Sequence, residues 1–116
     1  MFGLSAIRDK ITAATNLFER KLIMMASAVA AGPQLLLLDE PAGGLTEIEI
    51  KSLLQHTRRI LELGRTILII EHVMPVIMDL STRVLVLDRG KIFAEGNPAE
   101  TRQDQRIRRL YFGEGV

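Results

Sequence analysis

Asp39 and Glu40 are adjacent carboxylates at the end of four consecutive leucines, in the stretch LLLLDEPAGGL from Leu35 to Leu45. A short apolar run placed after the breaker Gly32-Pro33 has the length and composition of a strand covered on both faces of a parallel sheet. Ligands of parallel α/β sheets bind at the carboxyl ends of the strands, where the crossover loops open a crevice. Side chains alternate along a strand, so one carboxylate can hold a hydrated cation while its neighbour addresses a water or substrate. Phosphate chemistry needs Mg²⁺, which prefers carboxylate oxygens and waters, so Asp39 is the candidate Mg²⁺ partner and Glu40 the candidate general base. A second run, TILII, ends on Glu71 and His72, bringing an imidazole to the same edge of the sheet. An imidazole there can hydrogen-bond a phosphate or orient the attacking water.

These side chains need elements to hold them. FERKLIMMASAVAA, from Phe18 to Ala31, lacks proline and glycine and reads as a mostly buried helix stopped by Gly32 and Pro33. Thr46 supplies an N-cap and Gly64 a stop for an amphipathic helix carrying Ile50, Leu53, Leu54, Ile60 and Leu61, with His56 expected on its solvent face. VMPVIMDLS is a short helix with Pro75 near its first turn, and RVLVLDRGKIFAEG is two strands turning at Asp88, Arg89 and Gly90. Before them all, SAIRDKITAAT in the segment Met1 to Asn16 looks helical but has no obvious packing partner. Helices alternating with strands predict an α/β fold: a mainly parallel sheet with flanking helices, closed by a C-terminal β-hairpin and a helical tail.

The 116 residues, 47% hydrophobic and 25% charged, suffice for one modest core and predict a single domain. A formal net charge of +1 gives no overall field that would draw nucleic acid. Arg102, Arg106, Arg108 and Arg109 make a basic tail, but interleaved acids and the lack of an aromatic stacking series mark it as a solvated helix face. The absence of cysteine excludes disulfides and thiolate metal sites and fits a reducing cytoplasm. Arg8, Asp9 and Lys10 precede any apolar run long enough for a signal peptide. The longest apolar region, Leu22 to Leu38, is interrupted at Ser27, Gly32, Pro33 and Gln34, short of the roughly 20 residues of a membrane span.

Taken together, these segments resemble a known family. LLLLDEP resembles the Walker B strand of ATP-binding-cassette (ABC) ATPases, AGGLT their D-loop, and IIEH their switch-histidine strand. KLIMMASAVAAGPQ is similar to the helix that follows the family's signature motif, and VLVLDRGKIFAEGNPAE to its closing hairpin and helix. EPAGGL, IEHVM and the ending RRLYFGE look most like the ATPase subunits of branched-chain amino-acid importers. The resemblance covers nearly everything from Glu19 onward and implies a partial P-loop NTPase fold, residues 1–116 being the C-terminal part of a single nucleotide-binding domain. Within it, 1–17 would be an altered signature region, 18–96 the Walker B, D-loop and switch-histidine core, and 97–116 the tail.

By the same resemblance, Asp39 would support Mg²⁺, Glu40 would polarise the attacking water, and His72 would sense the γ-phosphate. Gly43, Gly44, Leu45 and Thr46 would meet an opposing subunit beside the nucleotide. The implied cofactors are ATP and Mg²⁺. The implied partners are membrane permease subunits and a second nucleotide-binding subunit, not nucleic acid, and the implied location is cytoplasmic, against the inner face of the cell membrane.

The chain departs from the family in two phosphate-gripping elements. No GxxxxGK[ST] loop occurs in it, nor do the upstream sheet, the adenine-stacking aromatic and the Q-loop. Where the family has an LSGGQ-type signature, an ungapped count back from Pro33 finds TNLFE, Thr15 to Glu19, and a gapped one starts at Asn16 and Leu17 and loses the small residues before Glu19; either way no glycine occurs from Leu4 through Ala31. Carboxylates alone repel a nucleotide, so the isolated chain is expected neither to bind ATP tightly nor to hydrolyse it. The competing expectation is a non-catalytic remnant or interaction module. Without an upstream sheet, Leu35 to Leu38 and Ile67 to Ile70 should have uncovered edges that favour self-association.

Overall fold

A computed structural model describes residues 1–112. The chain falls into two compact units, Met1–Val76 and Ile77–Val116. In the first, helix α1 (Leu17–Ala30) leads into strand β1 (Leu35–Asp39), helix α2 (Glu47–Glu62) and strand β2 (Thr66–Ile70). β1 and β2 pair in parallel, from Leu35 opposite Thr66 to Asp39 opposite Ile70, with α2 in the crossover that parallel neighbours require. Both helices start with a capping box. Asn16 accepts from the Glu19 amide while the Glu19 carboxylate accepts from the Asn16 amide, and Thr46 and Glu49 repeat the exchange.

The buried stripe of α2 is Leu53, Leu54, Thr57 and Ile60, a helical spacing that leaves Leu61 at the exposed margin. Thr57 is tolerated there because its hydroxyl donates to the Leu53 carbonyl at 2.8 Å. α1 is less covered than its composition suggests. Only Leu22 and Met25 are buried, and Met24 faces outward.

The strands correct the expectation of cover on both sides. Leu36 is buried, but Leu35, Leu37, Leu68 and Ile70 are 52%, 69%, 54% and 60% exposed. Register and alternation put those four on one open face, so the parallel sheet has two strands and one covered side. A run of leucines reads the same at every position and cannot say which parity is covered.

The segment before α1 is also not the helix its composition suggests. It forms two 3₁₀ turns, Leu4–Ile7 and Thr12–Ala14, and Thr15 is buried with its hydroxyl donating to the Thr12 carbonyl at 2.5 Å. Phe2 is buried and stacks on His56 at 5.5 Å between ring centroids, and Arg59 donates to the Met1 carbonyl at 2.9 Å. His56 is therefore half-buried, not solvent-facing, and among the described residues its Nδ1 makes no hydrogen bond within the usual distance and angle.

Burial pushes the His56 imidazole below its ordinary value of 6.5, helped by the positive Arg59 and outweighing the Met1 carbonyl contact that raises it. The unfolded chain then binds the extra proton more readily. Stability is fullest above about pH 6.5 and falls as pH drops through the lowered folded value. Urea midpoints of the native chain should fall between about pH 7 and pH 5, and His56→Gln should flatten that slope. Equal slopes in the two proteins would remove His56 from the account.

Helix α3 (Met74–Leu80), with Pro75 in its first turn, leads into the second unit. Its hairpin joins β3 (Val84–Asp88) to β4 (Lys91–Gly96) as a separate antiparallel sheet. Arg89 and Gly90 have φ of 48° and 77°, the paired positive values of a two-residue type I′ turn. Val84 and Val86 pack with Ile77, Ala94 and Ile107, the last from helix α5 (Gln105–Phe112), which follows α4 (Pro98–Gln103). Arg106 sits 5.6 Å over the Phe93 ring and pairs with Asp104, holding that half-buried carboxyl down to about 2. Arg102, Arg108 and Arg109 are exposed, as a solvated face requires. The last four residues of the tail expected over 97–116 lie outside the described residues.

Candidate functional site

The carboxyl ends of β1 and β2 bring Asp39, Glu40, Glu71 and His72 to one edge. Glu40 lies just past β1, and its amide donates to the Ile70 carbonyl at 2.8 Å, extending the ladder by one bond. Strict alternation would send its side chain to the side of Leu36 and Leu38. Instead Glu40 has φ 46°, in the left-handed region where a residue with a Cβ is disfavoured. That turn takes it out of the alternation, and its Oε1 lies 3.3 Å from His72 Nδ1. Both side chains stay more than half exposed, 57% for Glu40 and 64% for His72, so the pair is open to a ligand.

Two groups that sequence reasoning did not assign hold this geometry. The Glu71 carboxylate accepts from the Ala42 amide at 2.6 Å on one oxygen and from the His72 and Val73 amides at 3.1 and 3.3 Å on the other. Lys21 of α1 donates to the Glu40 carbonyl at 3.2 Å, and the Gly43 amide donates to the same oxygen at 3.1 Å. Parity was the available signal for Glu71, which shares the half-covered side of Ile67 and Ile69, where a carboxylate needs donors. Lys21 had no such signal.

Pro41 and Ala42 are buried, and the turn continues through Gly43, Gly44 and Leu45 to the Thr46 cap. Gly44 has φ 75°, and a Cβ there would lie 2.9 Å from Cδ2 of Leu17. Leu17 belongs to TNLFE, and its bulk is accommodated by the absence of a side chain at Gly44. The start of α1 is closed in a second way. Its first-turn carboxylate, Glu19, is held below its usual range by the backbone hydrogen bond to Asn16. An anion already occupies the helix N-terminus, where a phosphate would need free N–H groups.

Asp39 is exposed at the end of β1, on the open face, opposite Ile70. Among the described residues no group of three His, Cys, Asp or Glu side chains could hold a metal unaided. Mg²⁺ keeps several waters and is commonly bound through one or two carboxylates together with substrate phosphates. The donor set at Asp39 and Glu40 therefore fits Mg²⁺ that arrives with a nucleotide and does not fit a metal caged by this chain.

No family model matches the sequence. The lipopolysaccharide export system ATP-binding protein LptB of Haemophilus influenzae is 33% identical over 113 residues, 97% of this chain and 47% of its own length. The fold of MJ1267, an ATP-binding cassette of an ABC transporter solved in its ADP conformation, superposes with a TM-score of 0.87 at 25% identity, over 97% of this chain and 46% of that one. The chain is homologous to part of an ABC transporter ATP-binding protein. The methionine import ATP-binding protein MetN of Burkholderia thailandensis is 39% identical over 84% of this chain and 28% of its own length. CbiO1 of Clostridium perfringens, part of the ABC transporter complex cbiONQ, superposes at 0.80 with 26% identity, over 94% of this chain and 45% of that one. The chain spans about half the length of LptB, and its α/β architecture is that of the ABC ATPase fold. Among the described residues no helix is long and apolar enough to cross a membrane.

Proposed function

We propose that this segment is the hydrolytic half of a transporter ATPase site, residues 1–116 being the C-terminal part of one nucleotide-binding domain. The observation that carries the reading is the contact of Glu40 Oε1 with His72 Nδ1 at the carboxyl ends of adjacent parallel strands, beside Asp39. In this reading Glu40 accepts the proton of the attacking water, His72 holds Glu40 and meets the γ-phosphate, and Asp39 faces Mg²⁺. Gly43, Gly44 and Leu45 lie toward a second nucleotide-binding subunit. The domain would sit on the cytoplasmic face of the membrane against permease subunits and drive import, with branched-chain amino acids as cargo. The cargo rests on EPAGGL, IEHVM and RRLYFGE alone, since the relatives' names concern lipopolysaccharide and methionine.

A second reading, a non-catalytic interaction module, is favoured by one feature: the Asn16–Glu19 cap and Leu17 fill the place where a phosphate would be received. Labelled ATP with Mg²⁺, titrated against the chain with and without a Walker A half of an importer ATPase, separates the two. The expected result is saturable binding only when the added half is present. No binding in either arm would leave the interaction module.

A further inference from the structure

We propose that Glu71 is a positioning residue that sets the separation of Glu40 and His72 by clamping the two loops that carry them. The proposal rests on the reading of that pair as the reacting groups. After β1 the chain passes through Glu40, at positive φ, and Ala42; after β2 it passes through His72 and Val73. The Glu71 carboxylate takes one N–H from the first loop, Ala42, and two from the second, His72 and Val73. Glu40 thus lies two residues from one anchored amide, and His72 is itself anchored. A carboxylate can do this because it only accepts, offering two oxygens to three donors without presenting a donor of its own. The contacts with Glu71 reach backbone on both sides, so their effect passes to the Glu40–His72 distance and not to the charge of either side chain.

The clamp makes a prediction that no single-loop role would. In the ¹⁵N-labelled chain, the amides of Ala42, His72 and Val73 should be protected together from hydrogen exchange. Glu71→Gln replaces one acceptor oxygen by an NH₂ group facing a donor, and should accelerate exchange in both loops by roughly tenfold. Glu71→Asp keeps the charge but is one methylene shorter. It should release Ala42 and spare His72 and Val73, which covers the case in which the amide variant does not fold.

Imidazole ¹⁵N shifts give the positional readout. A neutral His72 that keeps its contact with Glu40 carries its proton on Nδ1. Either Glu71 variant should move His72 toward the Nε2–H form, because the Glu40 contact lengthens while both of those side chains stay unchanged. Unprotected amides in the native chain, or an unchanged His72 pattern in both variants, would overturn the clamp. No nucleotide enters this measurement, so an intact clamp with no complemented ATP binding would discard the ATPase reading and leave the clamp standing.

Discussion

If Glu40 is the base proposed above, Glu40→Gln should lower the ATP turnover of the complemented domain by about 10²- to 10⁴-fold while nucleotide affinity stays unchanged. The size follows from what the carboxamide can and cannot do. It has the volume of the carboxylate, can sit at the same φ of 46°, and offers His72 Nδ1 an acceptor oxygen at the place of Oε1. It cannot accept a proton from water. The loss therefore measures proton acceptance alone, and steady-state hydrolysis beside equilibrium ATP binding reads the two effects apart. Turnover within about tenfold of the unaltered protein would remove Glu40 from the role of base.

Ile60→Ala should cost about 2–5 kcal/mol of folding stability. Ile60 is 0% exposed at the C-terminal end of the α2 stripe, in line with Thr57 and Leu53 one and two turns earlier, and its removal leaves a cavity that the helix cannot close. Whole domains are stable by only about 5–15 kcal/mol, so this one side chain carries a large share. The urea midpoint should fall by roughly 1–3 M, whereas Leu61→Ala, one residue on and at the exposed margin, should move it little. Similar shifts for the two variants would mean that the α2 stripe is not the core of this unit.

The elements that speak through local chemistry were legible. Thr46 caps α2, Gly64 follows its end, Pro75 sits in the first turn of α3, and Arg89-Gly90 makes the hairpin turn. Each of these depends on φ, a missing donor or a side chain three residues away. What escaped depended on residues far apart in the chain. Phe2 reaches His56 across the whole of α1 and β1, and Glu71 finds its strongest donor at Ala42, in another loop. That Glu40 and His72 reach one sheet edge was legible in the sequence, but their contact was not, because period-two alternation misplaces Glu40, which leaves the strand through a left-handed turn.

That turn has a meaning for how such a sequence could be rewritten. Position 40 has the backbone of a glycine and the side chain of a glutamate, and a side chain in that region is held at a conformational cost on the order of 1–3 kcal/mol. Optimising this backbone for stability alone would place glycine or asparagine there and erase the carboxylate. Folding and the proposed chemistry rank the residues at this one position in opposite orders, so the glutamate marks the candidate site even to an observer who knows nothing of its ligand.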